Sequence, residues 1–270
     1  MSATSLKTLT VMRDFETIIV EVGDGIGRLT LNRPDSLNAF NEKMTTDIQT
    51  ALKELSADRE VRCVAITGSG RSFSSGQDLK EVSQAKSFAD SLRKRYNPII
   101  RLITGMEKPV VALVNGVAAG AGMSLVLACD YRTMSSSAKL IQAFVRIGLV
   151  PDSGSTYFLP RFVGYAKAFE LAALGDEISS EEALRLGLVN KVFPDSKYMA
   201  ESEKTLVRFA NGPTKAYSTI KKMLRHSAVY SLEQTLEYEA YMQEISGRTE
   251  DAKEATKAFV EKRPPVFKGK

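Results

Sequence analysis

The chain has few of the side chains on which metal and nucleophile chemistry usually depends. Its 270 residues include one histidine, two cysteines and no tryptophan. A zinc centre built on several histidines is therefore excluded, and no other metal-ligand set is visible. A serine triad would have to use His226, which lies in KKMLRHSAVY at the basic end of a helical pattern. A cation suits the helix dipole there, and nothing nearby resembles a triad partner. Cys63 and Cys129 sit in the apolar runs VRCVAIT and LVLACD and read as small buried hydrophobes. No apolar stretch approaches the ~18 residues of a membrane span. The opening MSATSLKTLTVMRDF lacks an apolar core ahead of a cleavage site. These absences lead to the expectation of a soluble, cytoplasmic protein. Like charges never run to about five in succession, which argues against a nucleic-acid arm.

What remains is an ordinary globular composition, 43% hydrophobic and 26% charged, in a chain long enough to bury a sizeable core. The net charge of +5 suits an anionic ligand such as a nucleotide phosphate, and equally a well-solvated surface.

Residues 16–34 alternate in polarity around a Gly-Asp-Gly turn, which predicts a β-hairpin. Asn41 is a candidate N-cap for a helix that places Met44, Ile48, Leu52 and Leu55 on one face. VRCVAITG reads as a buried strand, followed by the loop GSGRSFSSGQD and a helical stretch to about Met106. PVVALVNG reads as a second buried strand, leading through VAAGAG into a buried helix, MSLVLACD. Short strands follow near Tyr131–Met134 and Lys139–Gln142. The repeating unit is strand, strand, helix, which predicts an α/β fold with mostly parallel strands whose loops meet at one edge. Beyond about Leu159 the chain reads as almost wholly helical, with a capping box from Ser179 to Glu182 and a terminal Gly187. The expected division is a core over residues 1–200, helical from about 160, and a helical lobe over 201–270.

Two glycine-bearing loops, FSSGQDL and NGVAAGAGMSL, are candidates for chemistry. Small residues let backbone approach a ligand closely, and a helix N-terminus offers unpaired N–H groups. Side by side, the loops would hold one oxygen that becomes negative during reaction. Tight turns and close helix–strand packing would require the same residues. Neither loop carries the spacing of a dinucleotide or P-loop fingerprint.

Six ordered blocks carry a resemblance over nearly the whole chain. They are LTLNRPDSLNAFN, VRCVAITGSGRSFSSGQDLKE, KPVVALVNGVAAGAGMSLVLACDYR, IGLVPDSGSTYFLPRFVG, EALRLGLVNKVFP and AFVEKRPPVFKGK. The sequence resembles the crotonase (enoyl-CoA hydratase/isomerase) superfamily, and within it the phenylacetate-degradation isomerase group. The resemblance implies a spiral of ββα units, a C-terminal helical trimerisation region and a homotrimer or dimer of trimers. It implies an acyl-CoA thioester substrate, with coenzyme A as part of that substrate and no separate cofactor. By motif it places the two oxyanion N–H groups on Gln77, after Gly76, and on Ala121, between Gly120 and Gly122. It assigns coenzyme A contacts to Ser36, Leu37 and the loop through Gly76, Gln77, Asp78 and Leu79. Phe259 and Lys262 would complete the site from a neighbouring subunit; otherwise they read as helix core and surface charge.

Hydratases of this superfamily carry a pair of glutamates, and the matching positions here hold Ser124 and Phe144. Hydration needs a water activated and a carbon protonated, which neither side chain supports. Asp152, in VPDSGST, is the one acid at a position where isomerases of the superfamily carry theirs. An apolar neighbour such as Phe144 would desolvate it and make it a better base. A turn or N-cap role is the simpler reading of Pro-Asp-Ser-Gly taken alone. Asp78 is the rival acid, with helix capping as its ordinary role. The expected activity is a double-bond shift, or the isomerisation of an oxepin-type ring, by a single aspartate. The alternatives are hydration, thioester hydrolysis, dehalogenation or, remotely, RNA binding. The helix NEKMTTDIQTALKEL, with only Lys43 and Lys53, gives no basic comb for the last.

Overall fold

The computed structural model describes residues 10, 11, 13, 15–82 and 87–270. The opening residues in which a leader was sought lie largely outside this range. The chain begins with β1 (Thr10–Val11), β2 (Ile18–Gly23) and β3 (Ile26–Leu31). The predicted hairpin is β2–β3, and its turn uses Asp24 and Gly25 at φ of 52° and 76°. Two left-handed residues match the right-handed twist of the paired strands. Helix α1 (Glu42–Ala57) starts as expected, with Asn41 accepting a hydrogen bond from the Met44 N–H at 2.8 Å.

Three strand pairs then repeat: β4 (Cys63–Gly68) with β5 (Ser72–Ser74), β6 (Val110–Val114) with β7 (Val117–Ala119), and β8 (Tyr131–Ser135) with β9 (Lys139–Ile141). The first strand of each pair joins a seven-stranded sheet, and the second joins a four-stranded one. β3, β4, β6 and β8 run parallel, as do β5, β7 and β9. β4 and β6 are buried at nearly every position, which is why both read as continuous apolar runs. This is the crotonase-type α/β spiral implied by the resemblance.

Between β5 and β6 the described helices are short: α2 (Leu79–Val82), α3 (Phe88–Ser91), a π turn over Leu92–Tyr96, and α4 (Asn97–Gly105). The single helical stretch expected there is thus broken, and part of it, residues 83–86, lies outside the described residues. α5 (Ala121–Ala128) is the predicted buried helix, every residue of it enclosed.

After β9 come α6 (Ser155–Val163), α7 (Tyr165–Leu174), β10 (Glu177–Ser179), α8 (Ser180–Arg185) and β11 (Lys191–Phe193). The expectation of a wholly helical continuation needs correcting. β10 pairs antiparallel with β9, and β11 extends the large sheet parallel to β8. Three-residue strands carry too little alternation to register as a pattern, and only their long-range partners define them. The expected capping box is half formed. Ser179 accepts from the Glu182 N–H, but the Glu182 carboxylate turns to Arg185. A complete box occurs instead at Ser231 and Gln234.

The last helices are α9 (Tyr198–Ala210), α10 (Thr214–Ser227), α11 (Leu232–Gly247) and α12 (Glu250–Val260). Residue 200 falls inside α9, whose Tyr198, Leu206 and Ala210 pack with Ile26, Cys63 and Val111 on the large sheet. α10 is fastened by Lys221, whose ammonium donates to the Ile103 carbonyl and to Asp130 Oδ2, both at 2.7 Å. Asp130 also accepts from the Val110 N–H at 2.8 Å, so one carboxylate joins the lobe to the start of β6. Removing one partner of such a pair leaves a buried charge uncompensated. Asp130→Ala is therefore expected to lower the unfolding free energy by about 3 kcal/mol, measured by urea denaturation.

Candidate active site

Because β5, β7 and β9 are parallel neighbours, their C-terminal ends open onto the same edge. The chain leaves β5 into Ser75–Asp78, leaves β7 into Gly120 and α5, and leaves β9 into a 3₁₀ turn over Ala143–Ile147 and then the Asp152 turn. Tertiary pairing thus gathers three segments far apart in sequence, at the edge where open α/β sheets hold their ligands.

The first two loops are in backbone contact. Gly76 has φ of 91°, and a Cβ built on it would stand 2.7 Å from the Ala119 carbonyl oxygen and 3.3 Å from the Ala121 nitrogen. A Cβ on Gly122 would meet the Ser74 carbonyl oxygen at 2.6 Å. No larger residue fits at either position. Gln77 follows Gly76, and Ala121 precedes Gly122. Among the described residues, the N–H of each donates to no protein acceptor, whereas the flanking Gly76, Asp78 and Gly120 N–H groups are all used. Ala121 is the first residue of α5, so its free N–H is the ordinary orphan of a helix start. Two unpaired donors therefore sit on loops that touch.

Ser36 and Leu37 are brought to the same place. The Leu37 carbonyl accepts from the Ser75 N–H at 2.9 Å, and Ser36 is exposed beside it. The link depends on Asn38, a residue not singled out from the sequence. It is fully buried at φ of 55°, accepts from the Arg33 N–H, and donates to the Ser69 and Ser72 carbonyls. The asparagine in an otherwise apolar SLNAF is the available signal, since asparagine tolerates the left-handed conformation.

The two rival carboxylates differ sharply. Asp78 is committed: it pairs with Arg33 at 3.1 Å and accepts from the Lys80 N–H at 3.2 Å. That is the capping role expected of it. Asp152 does not cap anything. The N-cap of α6 is Gly154, with no side-chain hydrogen bond, and it is the Asp152 main-chain carbonyl that receives the Ser155 N–H. The turn is set by the left-handed Ser153 and Gly154 instead. Among the described residues the carboxylate has one hydrogen-bond partner, the Ser153 hydroxyl at 2.7 Å. Burial pushes its pKa above the ordinary aspartate value, and the Ser153 hydrogen bond offsets this only in part.

The two residues at the glutamate positions have structural roles. Ser124, fully buried, shares its hydroxyl proton between the Gly120 carbonyl at 3.2 Å and the Asp152 carbonyl at 3.1 Å. It thereby ties the start of α5 to the Asp152 turn. The Phe144 ring, 7% exposed, lies 3.9 Å from a Cβ built on Gly120 and covers that loop. Behind the turn, an apolar cavity of about 350 Å³ is lined by Val145, Leu149, Pro151, Ser155 and Phe169, without Asp152 itself. Leu79 is exposed at the loop's outer end.

Phe259 and Lys262 are not joined to this cluster within one chain. Phe259 is 84% exposed on α12, so the reading of it as helix core is corrected: Ala258 is the buried residue of that turn.

The raised pKa of Asp152 has a consequence for stability. Folding favours its protonated form, so the contribution is fully present below the unfolded pKa of ~3.9 and is lost as pH rises through the folded value. At neutral pH the ionised carboxylate is a net cost. Asp152→Asn is expected to raise the melting temperature at pH 7, with the gain vanishing below about pH 4, measured by calorimetry across pH.

Comparison with known proteins identifies the family. The family model for enoyl-CoA hydratase/isomerase matches residues 21–270. The 1,2-epoxyphenylacetyl-CoA isomerase of Escherichia coli K12 is 39% identical over 261 residues, covering 94% of this chain and 99% of its own. A Rhodobacter capsulatus protein named "probable enoyl-CoA hydratase" is also 39% identical, over 95% of this chain and 99% of its own. The crystal structure of an enoyl-CoA hydratase from Polaromonas sp. JS666 superposes with a TM-score of 0.88 at 30% identity, covering 93% and 99% of the two chains. The chain belongs to the enoyl-CoA hydratase/isomerase family and is an enzyme of the crotonase superfamily.

Proposed function

We propose that this enzyme is an acyl-CoA isomerase in which Asp152 moves one proton between two carbons of the acyl group. The observation that carries the reading is the contrast between the two acids at the site. Asp78 is consumed by Arg33 and the start of α2, whereas Asp152 has no structural role and is desolvated. A half-buried, partly desolvated carboxylate whose side chain caps nothing among the described residues, on a turn tied to the loop of the Ala121 N–H, is poised for acid/base work.

In this reading the thioester oxygen accepts hydrogen bonds from the Gln77 and Ala121 N–H groups, which form an oxyanion hole. Asp152 takes a proton from C2 of a 3-enoyl thioester; the C–H bond breaks, and its electron pair delocalises onto the thioester oxygen. Asp152 then returns the proton to C4, the double bond moves to C2–C3, and no other reactant is consumed. The similarity to a 1,2-epoxyphenylacetyl-CoA isomerase favours a ring-bearing acyl group for the same site. With Ser124 and Phe144 in place of glutamates, those two positions supply no second acid/base for adding water, so hydration is expected to be slow. The coenzyme A part is assigned to Ser36, Leu37, Asp78 and Leu79. Phe259 and Lys262 would come from the adjoining subunit of a homotrimer or dimer of trimers. The exposed apolar side chains Leu232, Leu236, Phe259 and Val260 on α11 and α12 support that assembly.

Asp152→Asn keeps size and turn-forming ability, so coenzyme A thioester affinity is expected to persist while isomerisation falls by at least ~100-fold. The check is to incubate 3-enoyl-CoA in deuterated water and follow double-bond position, deuterium uptake and 3-hydroxyacyl product together. Near-normal isomerisation by the folded variant would return Asp152 to a mere turn residue. Gln77→Ala is expected to leave turnover largely intact and Gln77→Pro to abolish it, because only the proline removes the N–H donor.

A further inference from the structure

Tyr96 is buried to 4% exposure, and its hydroxyl finds no hydrogen-bond partner among the described residues. Several features place its ring beside the candidate site. Its ring packs edge-on against Phe40, with centroids 6.3 Å apart. Phe40 is bonded through its backbone to the Gly76 carbonyl and the Asp78 N–H, so it braces the loop that presents the Gln77 N–H. One helical turn after Tyr96, the Ile100 side chain lies 3.5 Å from a Cβ built on Gly154, in the Asp152 turn. Tyr96, at the N-cap of α4, thus packs behind the Gln77 loop, and Ile100, four residues on, packs against the Asp152 turn. Burial, together with the charges of Asp152, Glu81 and Asp78, outweighs nearby Arg95 and pushes the phenol's ionisation well above the usual tyrosine range. It remains a proton donor at any ordinary pH.

The backbone spends local regularity to hold Tyr96 there. The residue closes the π turn Leu92–Tyr96, just ahead of Pro98, whose missing N–H leaves the Lys94 carbonyl without a helical donor. The Gln49 amide of α1 takes up the freed Lys94 and Arg95 carbonyls at 3.0 and 3.1 Å. Insertions of this kind commonly mark functional positions. A phenylalanine would fill the same space without enclosing an unpaired hydroxyl, which is costly unless something accepts its proton.

We propose that the Tyr96 hydroxyl is a specificity-determining donor for the acyl group: it hydrogen-bonds an oxygen carried by the acyl portion and so favours oxygen-bearing acyl-CoA thioesters over hydrocarbon ones of the same shape. The proposal rests on the acyl-CoA site described above but not on Asp152 as base. A site built around a polar substrate group discriminates against the analogue lacking it, because the protein group is then left unpaired.

The test uses unreactive thioesters, so that turnover plays no part. Binding of cyclohexylacetyl-CoA and of the three positional isomers of tetrahydropyranylacetyl-CoA to the full-length protein is measured by calorimetry. In these ligands one ring methylene becomes an ether oxygen at little change in shape. At least one isomer is expected to bind wild type about 10-fold more tightly than the carbocycle. Tyr96→Phe is expected to erase that preference while binding cyclohexylacetyl-CoA as well as or better than wild type, with an undiminished melting temperature. Asp152→Asn should retain the preference even if Asp152 proves not to be the base. The proposal fails if no isomer is preferred by wild type, if the preference survives in Tyr96→Phe, or if that variant loses affinity for all four ligands alike.

Discussion

Everything at the candidate site depends on one close approach of backbone to backbone. The loop after β5 lies against the loop after β7 because Gly76 and Gly122 leave no Cβ between them and the facing carbonyls. A side chain at either position would separate the loops and move the Gln77 and Ala121 N–H groups out of common reach. The parallel pairing of β5, β7 and β9 sets the frame for that contact, and the enclosed strands β4 and β6 hold the frame rigid. The large sheet therefore acts as scaffold, while the ends of the small sheet carry the polar groups.

The polar groups near that contact divide into those already satisfied and those left available. Asn38, Asp78 and Ser124 are used up by backbone or ion-pair partners and define shape. Among the described residues, the Gln77 and Ala121 N–H groups, the Asp152 carboxylate and the Tyr96 hydroxyl have one partner or none. Unmet hydrogen-bonding capacity in an enclosed place is costly, and a fold retains it only where something else gains. Three of these segments follow β5, β7 and β9 at one sheet edge, and the fourth, at Tyr96, packs on Phe40 behind the first.

Much of the fold was legible in the sequence because its cues are local or periodic. The Asp-Gly turn of the first hairpin, the Asn41 cap and the continuous apolar runs of β4 and β6 each follow from a few adjacent residues. Elements without local cues were not legible. β10 and β11 are three residues long and exist through pairing with β9 and β8. The break before α4 needs Gln49, 45 residues away from Lys94 in the chain, to accommodate it.

For the site, the sequence by itself determined chemical capacity. One histidine and two enclosed cysteines leave little besides carboxylates and backbone amides, and the motif blocks point to the loops that hold them. Its residues alone did not decide which carboxylate is uncommitted; the preference for Asp152 came from the resemblance. Asp78 and Asp152 both stand in turns before helices, where either one is a fitting cap. Only the tertiary structure separates them, because capping depends on where the neighbouring N–H groups point. At Asp78 they point to the side chain; at Asp152 the left-handed Ser153 and Gly154 direct the Ser155 N–H to the main-chain carbonyl and leave the carboxylate only the Ser153 hydroxyl among the described residues.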